Sequence, residues 1–530
     1  LRAKSLIYNA RVYTQADNIT VDSIALYKNR IVAVGNHLEH DPDFKSYRKI
    51  NLRGRTVIPG LVDGHTHFYY WAKALGHVDL DGLDTLDKAL ARIKKHASGL
   101  GKKEWVVGDG FSPDRLKKRA EFDRYMLDKV TGGRPAFIFS KDQHTAWVNS
   151  RALQLAGIDE HTPDPEGGKI DRFENGVPTG VLRENPGYNP VYSRITPPSK
   201  KEMYRRFQAA LELAYKKGVT GIHSFDGPEG FTFYSELAEK NKLGLRVNYY
   251  APAKHLPQLI KNKVYYGTGT DFFRMAGIKI FSDGSLGSQS ALCFNKYIGS
   301  KNNYGIETTT KKEISRLVKE AARIGMPCAV HAIGDKAIAN VLDVYEKAPR
   351  LDFGARHRIE HLQMIRRKDV ARVKKLNVVA SMQPSHCPSD IKLARSYWGK
   401  RAANVYIFKT LIDRKIDVSF GSDVPIEPLD PIAGIAAAVR RAGPKSRDVF
   451  YPEQRLTAAE VLYRFTVGPA IAAGQAHCRG YLLPGYPADL VVLDRDITGI
   501  AASKIYDTRV LATILDGQIK YCHPSMKILK

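Results

Sequence analysis

The sequence is short of cysteine, of acidic side chains and of long apolar runs, and each shortage removes a class of protein. Five cysteines in 530 residues (Cys293, Cys328, Cys387, Cys478, Cys522) are odd in number, widely separated and without a CxxC pair, which excludes a disulfide scaffold and a zinc knuckle. A reduced, cytoplasmic compartment is therefore the default expectation. Because the numbering opens on Leu1 rather than Met, a secreted or periplasmic location after removal of a leader stays open. No stretch approaches roughly eighteen consecutive apolar residues, so no transmembrane segment is expected. Nor is there a long polar tract, and 43% hydrophobic with 26% charged residues is the balance of a globular chain.

Acidic residues number 55 against 82 Lys and Arg, a formal net charge of +27. Such a balance raises the question of nucleic acid or an anionic surface. The basic residues are nevertheless spread along the chain. The densest patches (Lys117, Lys118 and Arg119; Lys311 and Lys312; Arg366, Arg367 and Lys368; Lys374 and Lys375) fall in segments that read as helices or helix ends, as solvated helix faces do. Nucleic acid is thus not the expected partner, and a small molecule is. An acidic substrate and assembly into a homo-oligomer stay open.

What is present is an alternation of β-rich apolar runs with helix-period segments, over a length that exceeds one ordinary core. Eight buried-strand candidates stand at 57–62, 219–224, 245–250, 277–281, 327–331, 357–361, 378–382 and 418–421. With helices between them they predict an α/β protein whose eight parallel strands close into a TIM (β/α)8 barrel. Short strands at the beginning, and others at the end around the Asp516-Gly517 hairpin signal, predict one small β-sandwich made from both termini. The expected division is residues 1–56 with 475–530 as the composite sandwich and 57–474 as the barrel. A long insertion after the first barrel strand, 69–198, is expected near the mouth.

Candidate ligands sit at the ends of these strands. His65 and His67 are two apart, so a strand presents both imidazoles to one side. His331, His361 and Asp423 each end a different strand, and parallel strand ends converge on one mouth, so the five residues predict a metal centre. Lys279, flanked by apolar residues in a core strand, is costly to bury unless paired or modified. It is either an ion-pair partner of Asp283 or another acid, or a lysine carbamylated by carbon dioxide, which would bridge two cations. A cation lowers the pKa of its water and polarises the carbonyl under attack. Asp423 would then be the candidate base for that water's proton, unless it only caps a helix or pairs with a cation.

His144 in the insertion either polarises the substrate or caps a helix. His386, after the seventh strand, faces the mouth. Trp71, Trp147 and Trp398 are candidates for the pocket wall or for the core, and Asp335 either orients His331 or begins the next helix.

Several motifs run in this order: Pro59-Gly60-Leu61-Val62-Asp63-Gly64-His65-Thr66-His67; Gly218-Val219-Thr220-Gly221-Ile222-His223; Lys279 with Asp283-Gly284-Ser285-Leu286-Gly287-Ser288; His331-Ala332-Ile333-Gly334-Asp335; Arg358-Ile359-Glu360-His361; Gly421-Ser422-Asp423-Val424-Pro425; and Pro484-Gly485-Tyr486-Pro487-Ala488-Asp489-Leu490. Across essentially the whole chain they resemble the amidohydrolase superfamily, in the family 3 branch that includes N-substituted formamide deformylases. The resemblance implies a distorted barrel with His65, His67, Lys279, His331, His361 and Asp423 around one or two divalent cations. Zinc suits imidazole and carboxylate donors, with manganese and iron as alternatives. The expected reaction is hydrolysis of a C–N bond in an amide, N-formyl compound or cyclic amide. The alternatives are a catalytically silent regulatory or binding protein on the same fold and an electrostatic binder resting on net charge alone.

Overall fold

A computed structural model describes residues 3–17, 19–111, 122–140, 145–352 and 354–526. Eight parallel strands form one sheet: β1 (Leu61–Thr66), β2 (Val219–Ser224), β3 (Arg246–Pro252), β4 (Phe273–Phe281), β5 (Cys328–Ala332), β6 (Arg358–His361), β7 (Val379–Met382) and β8 (Val418–Phe420), hydrogen-bonded in that order. β2 and β5 are buried at every position, because one face of each strand looks into the barrel and the other meets helices. Capped helices fill the crossovers. Thr310 starts Lys311–Ala322 by accepting from the Glu313 amide, and Thr457 with Glu460 forms a capping box on Ala458–Ala472.

The barrel nearly closes where β1 meets β8. The Asp423 amide donates to His65 O at 2.8 Å and the His67 amide to Val424 O at 2.9 Å. Asp63 ties the seam from inside, its Oδ1 accepting from the His65 and Ser422 amides. Such an approach leaves no room for side chains: a Cβ on Gly421 would lie 2.4 Å from His65 N. Gly421→Ala is expected to cost about 1–3 kcal/mol from overpacking, read as a lower denaturant midpoint at unchanged m.

The run expected as one strand over 57–62 is two. Thr56–Pro59 pairs antiparallel with Leu490–Leu493 and parallel with Arg11–Tyr13, and only from Leu61 does the chain join the barrel. Gly60 is the break, since a Cβ there would come within 2.2 Å of Thr220 Oγ1. Thr56–Pro59 thus belongs to a six-stranded sheet built from both ends of the chain. Beside it lies a four-stranded sheet ordered Arg30–Gly35, Ser23–Tyr27, Lys4–Tyr8 and Arg48–Asn51. Ile7, Ile24 and Ile50 of the smaller sheet share one core with Val57, Leu490, Val492 and Ile514 of the larger. The Asp516-Gly517 hairpin forms with both residues at positive φ (53° and 72°), the geometry that favours this dipeptide.

Residues 71–210 form a second unit. Its six-stranded sheet is ordered Lys169–Arg172, Pro178–Arg183, Thr145–Val148, Ala136–Ser140, Val106–Phe111 and Val78–Asp79. It has cores of its own, one around Ile93, Leu127 and Trp147 and another around Phe137, Leu153 and Leu182. Among the described residues no helix is long and apolar enough to cross a membrane.

Candidate metal centre

Donor atoms of His65, His361 and Asp423, brought by β1, β6 and the end of β8, lie within 4.8 Å of one another, and all three residues are buried. His65 Nε2 and His67 Nε2 stand 3.5 and 3.6 Å from Asp423 Oδ1. Two metal bonds of about 2.1 Å at a near-tetrahedral angle subtend a chord of about 3.4 Å, so these spacings suit a shared cation. His361 and Asp423 both have φ in the left-handed region, 69° and 63°. His and Asp tolerate that region better than branched residues do, and it turns both side chains at their strand ends.

In His65, His331 and His361 the second nitrogen is occupied in a way that frees the first. His65 Nδ1 donates to Glu360 Oε2 at 2.6 Å, and its Nε2 is buried without a hydrogen-bond partner. His331 Nε2 donates to Gly284 O at 3.0 Å, leaving the Nδ1 lone pair, and its ring sits edge-on to His361 at 4.5 Å. His361 Nδ1 donates to Gln383 Oε1 at 2.9 Å. Burial, joined by the charge of Lys279, holds His65 well below the ordinary imidazole range and brings His331 down to about 3, so both present lone pairs at neutral pH. Neutral imidazoles around a buried carboxylate fit a divalent cation. A second group of three donors, Asp22, His37 and Glu39, differs in kind. Its imidazole is 73% exposed and already explained by surface ion pairs.

Lys279 lies inside β4, 3% exposed, with Nζ 4.5 Å from the Phe225 ring centre and 4.9 Å from that of Phe281. Burial lowers its ammonium to about 8. The ion pair with Asp283 that the sequence left open is not formed. Asp283 instead accepts from the backbone amides of Leu292, Ile333 and Gly334 at 2.8–3.1 Å, and Lys279 has no salt bridge to a described carboxylate.

Sequence reasoning missed the pair that supports this centre. Arg358 and Glu360 on β6 are both fully buried. Arg358 Nε and Nη2 hold the two carboxylate oxygens of Glu360, while Nη2 is shared with Gly64 O (2.7 Å) and Ser381 Oγ (2.7 Å) and Nη1 reaches Tyr250 Oη (3.0 Å) and His223 Nδ1 (2.7 Å). Glu360 in turn fixes the tautomer and plane of His65, as a carboxylate behind a ligating imidazole does. The signal was an Arg and a Glu two apart on a buried strand, hence on one face. Glu360→Gln is expected to weaken metal retention about 10–100-fold, measured by chelator competition.

Other sequence candidates fall in different places. His386 begins the helix His386–Trp398, donates to Ser422 O at 3.3 Å and stands 3.9 Å from Asp423 Oδ2. Asp335 is the first residue of the helix Asp335–Tyr345 and accepts from the Phe294 amide, so it begins the helix rather than orienting His331. Trp147 is a core side chain of the second unit rather than a pocket wall. It is 1% exposed, packed on Phe111 and Phe122, with its indole N–H on Asp123 O. Trp398 is likewise 1% exposed. Trp71 is half-buried on the helix Phe68–Ala74, and His144 lies outside the described residues.

Residues 48–521 match the family model described as "Amidohydrolase family". The chain is 31% identical to "Putative amidohydrolase YtcJ" of Bacillus subtilis (strain 168), over 89% of this chain and 90% of that protein. It is 27% identical to the "N-substituted formamide deformylase" of Arthrobacter pascens, over 97% and 98% of the two chains. A crystal structure of an uncharacterized metal-dependent hydrolase from Pyrococcus furiosus superposes with a TM-score of 0.78 at 28% identity, covering 93% of this chain and all of that one. Taken with the convergent histidines and Asp423, these matches show that the chain belongs to the amidohydrolase family and is a metal-dependent hydrolase on a distorted TIM barrel.

Proposed function

We propose that this protein hydrolyses a C–N bond in a small amide, N-formyl compound or cyclic amide, with Asp423 as the base. The observation that carries the reading is the meeting of His65, His361 and Asp423, with His65 Nε2 buried and unpartnered at the point of convergence. A divalent cation held by His65, His67, His331, His361 and Asp423, zinc by donor type with manganese or iron as alternatives, supplies an acidified water and a Lewis acid for the carbonyl. Asp423 takes the water's proton at a carboxylate oxygen and carries it to the leaving nitrogen. His386, fixed by Ser422 O, stands on the other side of that carboxylate. Lys279, whose ammonium burial brings near neutrality, has a neutral fraction able to add to carbon dioxide through Nζ. The N–C bond would form as a proton leaves Nζ, and the resulting carbamate would offer an anionic oxygen to the cation. In this reading the catalytic portion expected over 57–474 begins at Leu61, since Thr56–Pro59 pairs within the composite sandwich.

The test is turnover of a panel of N-formyl amines, N-acyl amines and cyclic amides by the purified protein, with its metal content measured. Hydrolysis abolished by a chelator and restored by one divalent metal is expected. Metal-loaded protein that binds panel compounds but cleaves none would instead favour the silent regulatory reading.

A further inference from the structure

Beneath the metal centre, on the N-terminal side of the barrel strands, lies a cavity of about 50 Å³. Its lining includes His223, Asn248, Arg246, Arg274, Asp271 and Arg479. The arginines are committed: Arg246 pairs with Asp489, Asp271 and Asp516, Arg479 with Asp271, and Arg274 donates to Ala473 O. His223 Nε2 and Asn248 Oδ1 are not. The two residues are direct neighbours in the register of β2 and β3, so their side chains stand at one level on one face.

The protonation of His223 follows from its partner. Arg358 Nη1 lies 2.7 Å from His223 Nδ1, and a guanidinium only donates, so Nδ1 accepts and a neutral ring carries its hydrogen on Nε2. Burial, with the Arg358 charge behind it, holds the ring neutral. Among the described residues that Nε2–H is buried with no acceptor, and Asn248 Oδ1 is buried with no donor. An unpaired donor and an unpaired acceptor on adjacent strands, carried by two residues that line a cavity with room for more than one water, are the setting in which an ordered water bridges.

The same imidazole ends a chain that leads upward. His223 Nδ1 fixes one arm of Arg358, Arg358 grips Glu360, and Glu360 holds His65 Nδ1. We propose that His223 is a positioning residue for the metal ligand His65, acting through Arg358 and Glu360, and that a water bridging His223 Nε2 to Asn248 Oδ1 anchors it from the N-terminal side of the barrel. The first part rests on the cation assigned above, whereas the water does not.

Two polar substitutions separate the two nitrogens. Asn places an acceptor where Nδ1 stood and nothing at Nε2, while Gln reaches the Nε2 position and leaves Nδ1 vacant. His223→Gln is expected to release metal about 10-fold more readily in chelator competition and to retain the bridging water in a high-resolution crystal structure. His223→Asn is expected to hold metal within about 3-fold of wild type and to lose the water. Asn248→Leu should also lose the water. Thermal unfolding of the metal-free variants is the control, because a merely structural role would lower both His223 variants alike and shift metal affinity in step. Equal metal affinity in the two His223 variants overturns the positioning role. A metal-free wild-type crystal without density between Nε2 and Oδ1 overturns the water, and does so even if the metal assignment itself fails.

Discussion

Asp423→Asn is expected to lower kcat/KM by about 10²–10⁴-fold, the range that a positioned general base contributes. The amide keeps an oxygen facing His65 and His67 but has no basic site for the water's proton. Metal content should therefore fall much less than turnover, and the loss should appear in kcat rather than KM. Equal losses of metal and activity would reduce Asp423 to a ligand alone. Retention of activity would remove it from the reaction.

The largest stability effect is expected at Arg358, the most heavily bonded buried cation around the centre. Arg358→Met leaves Glu360 charged, fully buried and without its counter-ion, and strips partners from Gly64 O, Ser381, Tyr250 and His223. Removing one partner of a buried pair typically costs about 3–5 kcal/mol, because the survivor keeps its desolvation penalty. Urea unfolding should show a loss of that size at unchanged m. The double variant Arg358→Met/Glu360→Gln should regain part of it, since the stranded charge is gone, yet it should hold metal as poorly as Glu360→Gln alone. A double variant no more stable than the single one would mean that lost packing, rather than an unpaired charge, sets the cost.

Much of this candidate centre is legible in the sequence, for a simple reason. Parallel strands separated by helices converge at their C-terminal ends, so a histidine or aspartate ending several strands meets the others whatever lies between. Seven of the eight barrel strands accordingly fall at or within a few residues of their expected positions. The eighth expectation, 57–62, ran two strands together, because both are apolar and a single Gly60 marks the passage from one sheet to the next.

Other features were hidden because they depend on direction. Strict alternation along β6 puts Glu360 and His361 on opposite faces, yet both serve His65's surroundings, since the positive φ at His361 turns the chain at that point. Arg358 and Glu360 were visible as residues, but their partners lie as far away in sequence as Gly64 and His223. Trp147 shows the converse. Its composition suits a pocket wall and a core equally, and only Phe111, Phe122 and the acceptor at Asp123 decide for the core.

Metal-edge anomalous diffraction on crystals of the loaded protein tests the shared centre most directly. A peak about 2.0–2.2 Å from His65 Nε2, with His361 and Asp423 also bound to it, is the expected result. A fully loaded crystal whose peak lies away from these side chains, or whose His65 and His361 rings face different spaces, would contradict it.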